Sequence, residues 1–123
     1  NFTITDKGKY TLVVSNVDKL DTTCAPELKS ALVYLNKTDV RNIVIDMGKT
    51  RYCDSSGLSA LLVANRLCKG VNGTLVICSL QEPVMKLVQI SQLESVLSIT
   101  PTASEAQDLL YMEEIEKGVK KEQ

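Results

Sequence analysis

The sequence predicts a single α/β domain with a mixed central β-sheet and about four helices. Two short apolar runs, Asn42–Asp46 and Thr74–Cys78, are typical of strands that are buried on both faces. Segments with a helical spacing of apolar residues separate these runs, and alternating strands and helices imply a largely parallel sheet. The 123 residues fit one domain, which we place at residues 1–111, and no linker or repeat divides the chain.

The first third of the chain predicts a β-hairpin followed by a helix. The runs Phe2–Thr5 and Tyr10–Val14 flank a turn at residues 7–9, as the two strands of a hairpin do. This antiparallel pair makes the predicted sheet mixed. From residue 24 to residue 36 the apolar residues fall at helical spacing, and Pro26 is acceptable in a first helical turn.

The second half of the chain alternates further helices and strands. A helix is predicted from Ser56 to Lys69, and Gly70 is a residue type that commonly ends helices. Residues 83–90 are predicted to form a short third helix, and residues 96–99 a last strand.

The end of the chain predicts a fourth helix and a charged tail. Thr102 and Glu105 have the spacing of a capping box, in which the Thr hydroxyl accepts a hydrogen bond from a free backbone N–H group at the helix start. The helix is expected to reach about Tyr111. Residues 112–123 carry mixed charge, and we expect them to be frayed helix or disorder.

The composition argues against several classes of function. The 14 Lys and Arg residues balance 15 Asp and Glu residues, whereas a nucleic-acid-binding protein needs a surplus of cations. There is no His, which removes the commonest general base and metal ligand and excludes Ser-His or Cys-His catalysis within this chain. We therefore expect neither nucleic-acid binding nor such an enzyme.

The apolar and cysteine content predicts a cytoplasmic protein without a cofactor or metal. The longest apolar run, Ala60–Ala64, has five residues, far fewer than the roughly 18 that a membrane span requires. The first residues lack the basic and apolar segments of a signal peptide. No two of the four cysteines have Cys-x-x-Cys spacing, and we expect all of them to be reduced. Cys53 adjoins a predicted helix start, which can lower the pKa of a thiol.

The run Asp54-Ser55-Ser56-Gly57-Leu58 is the main candidate site. It lies between a predicted strand and the second helix, where Asp or Ser commonly serves only as a helix cap. A phosphate on Ser55 would lie at a helix N-terminus, which tolerates anions. Gly57 permits the close approach of another backbone.

One stripe of the second helix differs from the rest of its surface. Ser55, Ser59, Leu62 and Arg66 follow one another at spacings of four, three and four residues, so they share one face. Leu62 is then an apolar residue on a face that is expected to be exposed to solvent. It is either a docking contact or one of the single exposed leucines that many proteins have.

The chain resembles a STAS domain of the bacterial anti-sigma factor antagonist family. The likeness covers roughly residues 10–110 and is carried by the runs Asn42–Asp46, Tyr52–Leu58 and Gly73–Cys78. Leu20-Asp21 and the later Pro26-Glu27-Leu28 also resemble the start of the first helix in that family. Asp18-Lys19 departs from it, since members often have Gly-Glu or Gly-Asp ahead of the Leu-Asp pair.

The resemblance implies a regulatory binding module that is not an enzyme. In the family the position of Ser55 is phosphorylated by a partner anti-sigma factor that is also a serine kinase, and a serine phosphatase reverses the reaction. The unphosphorylated form sequesters the partner and so releases a sigma factor for transcription. The partner-binding residues expected here are Asp21, Asp54, Ser56, Gly57, Ser59, Leu62 and Arg66.

Two alternatives remain open on the sequence. STAS domains also occur as subunits of membrane lipid or anion transport systems. A small hydrolase that uses Ser55 is a weaker hypothesis, because the chain has no His and no Lys lies near Ser55 in the sequence. Asp21 is expected close to Ser55, where it orients the Ser hydroxyl, contacts the partner, or only caps the first helix.

Overall fold

The computed structural model describes the backbone of residues 1–122 and the side chains of residues 1–118. Within this range the chain alternates strands with helices. The strands are β1 (Phe2–Asp6), β2 (Thr11–Ser15), β3 (Lys19–Leu20), β4 (Ile43–Asp46), β5 (Tyr52–Cys53), β6 (Leu75–Cys78) and β7 (Ile99–Thr100). The helices are α1 (Ala25–Lys37), α2 (Ser55–Gly70), α3 (Glu82–Ile90) and α4 (Ala103–Glu122).

Five strands form the mixed central sheet that the sequence predicts. Their order is β1-β2-β4-β6-β7. The β1–β2 hairpin is antiparallel, with Phe2 opposite Ser15, and the other pairs are parallel. The last strand is shorter than expected, because only residues 99 and 100 pair with β6.

The two faces of the sheet are covered by different helices. Ile43 and Ile45 face the main core together with residues of α1, α2 and α3, whereas Val44 and Val76 face α4. Successive residues of a strand point to opposite faces, so both sides of β4 and β6 must be apolar. This explains why these strands are continuous apolar runs.

β3 and β5 form a second, two-stranded parallel sheet that the sequence analysis missed. Lys19 pairs with Tyr52, and Leu20 pairs with Cys53. Strands of two residues carry no periodicity of their own, so the pattern of apolar residues cannot reveal them. Because β3 lies shortly before α1 and β5 immediately before α2, the small sheet places the starts of these two helices side by side.

The end of α2 is set by Asn72 and Gly73 rather than by Gly70. Asn72 has a positive φ of 56°, and the N–H of Gly73 donates to the backbone oxygen of Cys68 at 2.7 Å. A Cβ on Gly73 would lie 1.9 Å from the backbone oxygen of Arg41. A side chain at that position would therefore force apart the loops that precede β4 and β6.

The fourth helix does not end near Tyr111, because α4 continues to Glu122. The Thr102 hydroxyl accepts a hydrogen bond from the N–H of Glu105 at its start, as expected. The segment expected to be frayed helix or disorder is helical as far as Glu122 and is anchored by side-chain contacts, while Gln123 lies outside the described residues. The Glu114 carboxylate accepts hydrogen bonds from Arg41, Asn42 and Thr74, and from Lys117, at 2.9–3.2 Å.

Replacing Glu114 by Gln is expected to lower the free energy of unfolding by about 1–2 kcal/mol, because several donors lose a charged acceptor. Burial raises the pKa of Glu114, but hydrogen bonds from Lys117, Thr74 and Asn42 outweigh it, and the net pKa lies below its usual value of 4.5. A lowered pKa stabilises the fold above the unfolded value, so this contribution disappears as the pH falls below about 4.5.

Urea unfolding at pH 7 and at pH 3.5 tests this prediction. The matched control is Asp108→Asn, which removes an exposed carboxylate from the same helix. The anchoring role of Glu114 is contradicted if both variants have the stability of the wild type at pH 7.

Candidate functional site

The β3–β5 pair joins the two loops that carry the candidate residues. The Asp54 N–H donates to the backbone oxygen of Leu20 at 3.3 Å. Asp21 follows Leu20 and Asp54 follows Cys53, so the two carboxylates come directly after the paired strands. Both border one open groove of about 460 Å³. The structure thus places Asp21 next to the residue that precedes Ser55.

Asp54 is the N-cap of α2. Its Oδ1 accepts a hydrogen bond from the Gly57 N–H at 3.0 Å, and its backbone oxygen accepts one from Leu58. The capping role that the sequence allowed for Asp54 is therefore present. Since Asp54 satisfies the helix start, the side chain of Ser55 is not needed as a cap. Ser55 is the first residue of α2 and is exposed, whereas Ser56 is half-buried.

The stripe predicted on α2 is exposed at both ends and half-buried in the middle. Ser55 and Arg66 are exposed, and Ser59 is half-buried. Leu62 is half-buried and packs against the main core, so it lies at the border between surface and core. The core side of the helix consists of Leu58, Ala60, Leu61, Ala64 and Cys68, which are all buried.

Gly57 is buried, and the close approach that it permits is made within the chain. A Cβ on Gly57 would lie 2.3 Å from the backbone oxygen of Leu20 and 2.4 Å from Cys53 Sγ. The backbone next to Gly57 is therefore that of β3, not that of a partner. Gly57 acts as an internal support that lets the first turn of α2 rest on the small sheet.

Asp21 orders the turn that leads into α1. Its Oδ1 accepts hydrogen bonds from the Thr23 hydroxyl at 2.6 Å and from the Thr23 N–H at 2.9 Å. These bonds hold the pKa of Asp21 below its usual value. The N-cap position itself is Cys24, which makes no side-chain cap bond. Asp21 is thus not the helix cap. Among the described contacts, its carboxylate binds Thr23 and not Ser55.

Tyr52, which lines this groove, and its neighbours Asp18 and Arg51 had no predicted site role. Asp18 directly precedes β3 and Arg51 directly precedes β5, and the two side chains form an ion pair across the strands. Hydrogen bonds from Arg51 lower the pKa of Asp18. The opposite charges are visible in the sequence, but their alignment follows only from the β3–β5 register. Asp18, at which the sequence departs from the family pattern, is thus paired with Arg51.

Cys53 is not an activated thiol. Burial, followed by the nearby Asp54 carboxylate, raises the pKa of Cys53 to about 12. The helix start does not lower this pKa, because the thiol is half-buried next to Gly57 and the Asp54 carboxylate lies nearby. Its thiol is free, as are those of Cys24, Cys68 and Cys78.

The raised pKa of Cys53 predicts a loss of stability at alkaline pH. A thiol with a usual pKa of 9.0 ionises in the unfolded chain before it ionises in the folded one. The stabilisation is therefore complete below about pH 9 and is lost as the pH rises toward 12. We expect the stability of Cys53→Ser, which has no ionising thiol, to fall less than that of the wild type between pH 8 and pH 10.5.

Urea unfolding across this pH range measures the effect. Equal slopes of stability against pH for the wild type and Cys53→Ser would show that Cys53 ionises alike in both states. Alkylation of native Cys53 at pH 8 provides a second measurement, which is expected to be much slower than in urea.

No metal-binding arrangement or membrane span is found among the described residues. Along residues 1–118 no group of three Cys, Asp or Glu side chains is placed to hold a metal ion. Within residues 1–122 no helix combines the length and the apolar character that crossing a bilayer requires.

Comparisons with known proteins point to one family. Residues 4–106 match the STAS domain. A protein of Bordetella bronchiseptica named as an anti-sigma factor antagonist, BtrV, is 32% identical over 80 residues, which are 65% of this chain and 66% of that protein. The alignment thus spans slightly less than two thirds of this curated relative.

Solved structures share the fold at low sequence identity. An anti-sigma factor antagonist from Thermotoga maritima has a TM-score of 0.80 at 18% identity, covering 89% of this chain and 94% of its own. The Bacillus cell fate determinant SpoIIAA, in its phosphorylated form, has a TM-score of 0.69 at 19% identity, covering 88% of this chain and 97% of its own.

The same fold also occurs within a larger membrane protein. The murine anion transporter Slc26a9 has a TM-score of 0.71 at 12% identity, covering 88% of this chain but only 18% of its own. At such identities the likeness concerns the fold, which does not by itself determine function. The family match over residues 4–106 nevertheless covers most of the sequence. The chain belongs to the STAS domain family.

Proposed function

We propose that this protein is an anti-sigma factor antagonist, a binding module and not an enzyme, controlled by phosphorylation of Ser55. In the unphosphorylated state it sequesters an anti-sigma factor with serine kinase activity and releases a sigma factor for transcription in the cytoplasm. Phosphorylation frees the partner, and a serine phosphatase restores binding. The observation that carries this proposal is the exposed Ser55 at the first position of α2, whose N-cap is already supplied by Asp54.

The position of Ser55 suits a reversible phosphate. The first backbone N–H groups of a helix and its dipole favour an anion, so the added charge of about −1.5 to −2 is tolerated by the fold. The same charge weakens binding to the partner, because a partner surface that fits a neutral hydroxyl does not accommodate a bulky dianion. Phosphorylation therefore changes affinity without unfolding the domain.

The proposed contact surface surrounds Ser55 on two sides. On one side the loops contribute the carboxylates of Asp21 and Asp54, which border a common groove. On the other side α2 contributes Ser56 and the remaining residues of its stripe, which are Ser59, Leu62 and Arg66. Gly57 is left out of this surface because it is buried against β3.

Phosphorylation assays with serine variants test the proposal. The anti-sigma factor kinases of the native organism are purified and incubated one by one with this protein and ATP, and the modified residue is located by mass spectrometry. Ser55→Ala is expected to abolish phosphate uptake, while Ser56→Ala, a neighbouring and half-buried serine, is expected to retain it. Uptake by Ser55→Ala at the wild-type rate would refute the assignment.

The alternative function, a subunit of a membrane transport system, is supported only by the fold shared with the transporter. The two functions are nevertheless separable in the cell: deletion of the gene should change transcription that depends on a sigma factor, and a transport subunit would instead change lipid or anion uptake.

A further inference from the structure

Tyr52 is an exposed aromatic residue that borders the groove beside Asp54. It is the first residue of β5, and 48% of it is exposed. Residues two apart in an extended segment point to the same side. Tyr52 and Asp54 therefore face outward together, while Cys53 between them points inward against Gly57. The Tyr52 ring thus lies next to the carboxylates that border the groove, and Tyr52 begins the short strand that precedes Ser55.

Arg51 makes a cation–π contact with the Tyr52 ring, and Asp18 binds Arg51 through hydrogen bonds. The Cζ atom of Arg51 lies 5.6 Å from the centre of the ring, which is within the range of a cation–π contact. The Asp18 carboxylate accepts hydrogen bonds from Nε of Arg51 and, at 3.0 Å, from Nη2. A two-pronged contact of this kind restricts the orientation of the guanidinium group. The Tyr52 ring is therefore in contact with a guanidinium group whose own orientation is restricted.

The backbone reinforces this arrangement. The N–H groups of Arg51 and Tyr52 both donate to the backbone oxygen of Asp18, at 2.9 and 3.1 Å. The ion pair itself is exposed, and exposed pairs contribute little to stability. Neither core cluster includes Tyr52. Tyr52 is therefore not needed for core packing, and its exposed ring remains available for contact with a partner.

We propose that Tyr52 is an aromatic anchor of the interface with the anti-sigma factor kinase, and that Asp18 and Arg51 are positioning residues that preorganise it. Tyr is enriched among the residues that dominate binding energy, and a ring that is already ordered loses little entropy on binding. The partner feature that fits it is a pocket with apolar walls and a polar group for the hydroxyl. This inference rests on the function proposed above.

Tyr34 provides a matched control within the same chain. It is also a surface tyrosine, with 66% exposure. It lies nine residues beyond the start of α1 at Ala25, which corresponds to about 14 Å along the helix. If any exposed tyrosine served equally well, replacing Tyr34 would weaken binding as much as replacing Tyr52.

The test measures dissociation constants with the purified anti-sigma factor kinases of the native organism, together with thermal unfolding of each variant. Tyr52→Ala is expected to weaken binding about 30-fold, and Tyr52→Phe less than about threefold, because the ring remains. Asp18→Asn, which weakens the hold on Arg51, is expected to cost about three- to tenfold. Tyr34→Ala is expected to stay within about twofold of the wild type.

The outcomes separate this inference from the proposed function. If the wild type binds a kinase and Ser55→Asp releases it, but Tyr52→Ala binds like the wild type, the anchor is refuted and the proposed function stands. An equal loss for Tyr34→Ala and Tyr52→Ala also refutes it. If the wild type binds none of the kinases, both proposals fail. Should Tyr52→Ala lose its fold, Tyr52→Gln decides by the same thresholds.

Discussion

Replacing Ser55 by Asp is expected to weaken binding to the anti-sigma factor kinase about 100-fold, or ~3 kcal/mol, without loss of the fold. The substituted carboxylate lies at the first position of α2, beside the Asp54 carboxylate and near Asp21. A partner that accommodates two partly hydrogen-bonded carboxylates then meets a third negative charge. Juxtaposed like charges, or an anion buried without a counter-charge, cost several kcal/mol at an interface.

Stability responds differently from affinity in the same variant. An anion in the first turn of a helix typically stabilises it by about 0.3–1 kcal/mol, and repulsion from Asp54 offsets part of this gain. The melting temperature of Ser55→Asp is therefore expected to remain close to that of the wild type. A marked decrease would mean that lost binding reflects unfolding and not the charge.

Ser55→Asn is the matched control for charge. Asn has nearly the size and shape of Asp but no charge, so its expected loss of affinity is only a few-fold. Isothermal titration calorimetry of the wild type and both variants against the same kinase measures the difference. Undiminished binding by Ser55→Asp, or an equal loss for both variants, would show that charge at this position does not control the interaction.

Replacing Gly57 by Ala is expected to cost about 3 kcal/mol of stability, the largest effect on folding that we predict. The added Cβ would lie 2.3 Å from the Leu20 backbone oxygen and 2.4 Å from Cys53 Sγ. Both neighbours belong to the small β3–β5 sheet, and a backbone oxygen cannot rotate away. The methyl group therefore pushes the first turn of α2 off the sheet or breaks the pairing of Leu20 with Cys53.

Gly70→Ala in the same helix separates crowding from helix propensity. Among the described residues, no heavy atom outside the local helix backbone lies within 4 Å of a Cβ at Gly70, and Ala is preferred over Gly in a helix by up to about 1 kcal/mol. Gly70→Ala is thus expected to be neutral or stabilising, in contrast to Gly57→Ala. Urea unfolding of the two variants gives the comparison, and a stable Gly57→Ala would show that α2 can shift without cost.

The displacement expected in Gly57→Ala also links folding to the proposed function. Ser55 and Asp54 belong to the turn that rests on β3 through Gly57. A shifted turn moves Ser55 relative to Asp21 and Tyr52 on the neighbouring loops. We therefore expect the folded fraction of Gly57→Ala to bind the kinase less tightly as well.

The sequence predicted the elements whose signals are local. The apolar runs of β4 and β6, the hairpin of β1 and β2 and the helical spacing of α1 and α2 each arise from burial against the core, which imposes a period on the residues. These features suffice to predict the mixed sheet, whereas Ser55 was selected by its place on the α2 stripe together with the resemblance to the family's phosphorylated position. The start of α2 was predicted one residue late, at Ser56, because Asp and Ser are both common caps and the local sequence does not decide between Asp54 and Ser55.

Other features follow from contacts between segments that are distant in the sequence. The helical end of α4 depends on Glu114 and Lys117. Their partners lie in the loops directly before β4 and β6; these are Arg41, Asn42 and Thr74. A charged segment considered alone lacks the apolar stripe that predicts a packed helix, so it resembles a tail. Its anchoring is electrostatic and becomes visible only when the loops are placed beside it.

The candidate site itself shows the same division. The sequence by itself determined that a helix begins near Ser55 and that an Asp or a Ser is available to cap it, because both signals lie within one helical turn. Only the tertiary structure decided what surrounds Ser55, because strands of two residues pair by register and leave no periodic signal. That pairing places Gly57 inside, gives Cys53 an inert thiol, and aligns Asp18 with Arg51 beneath the exposed ring of Tyr52.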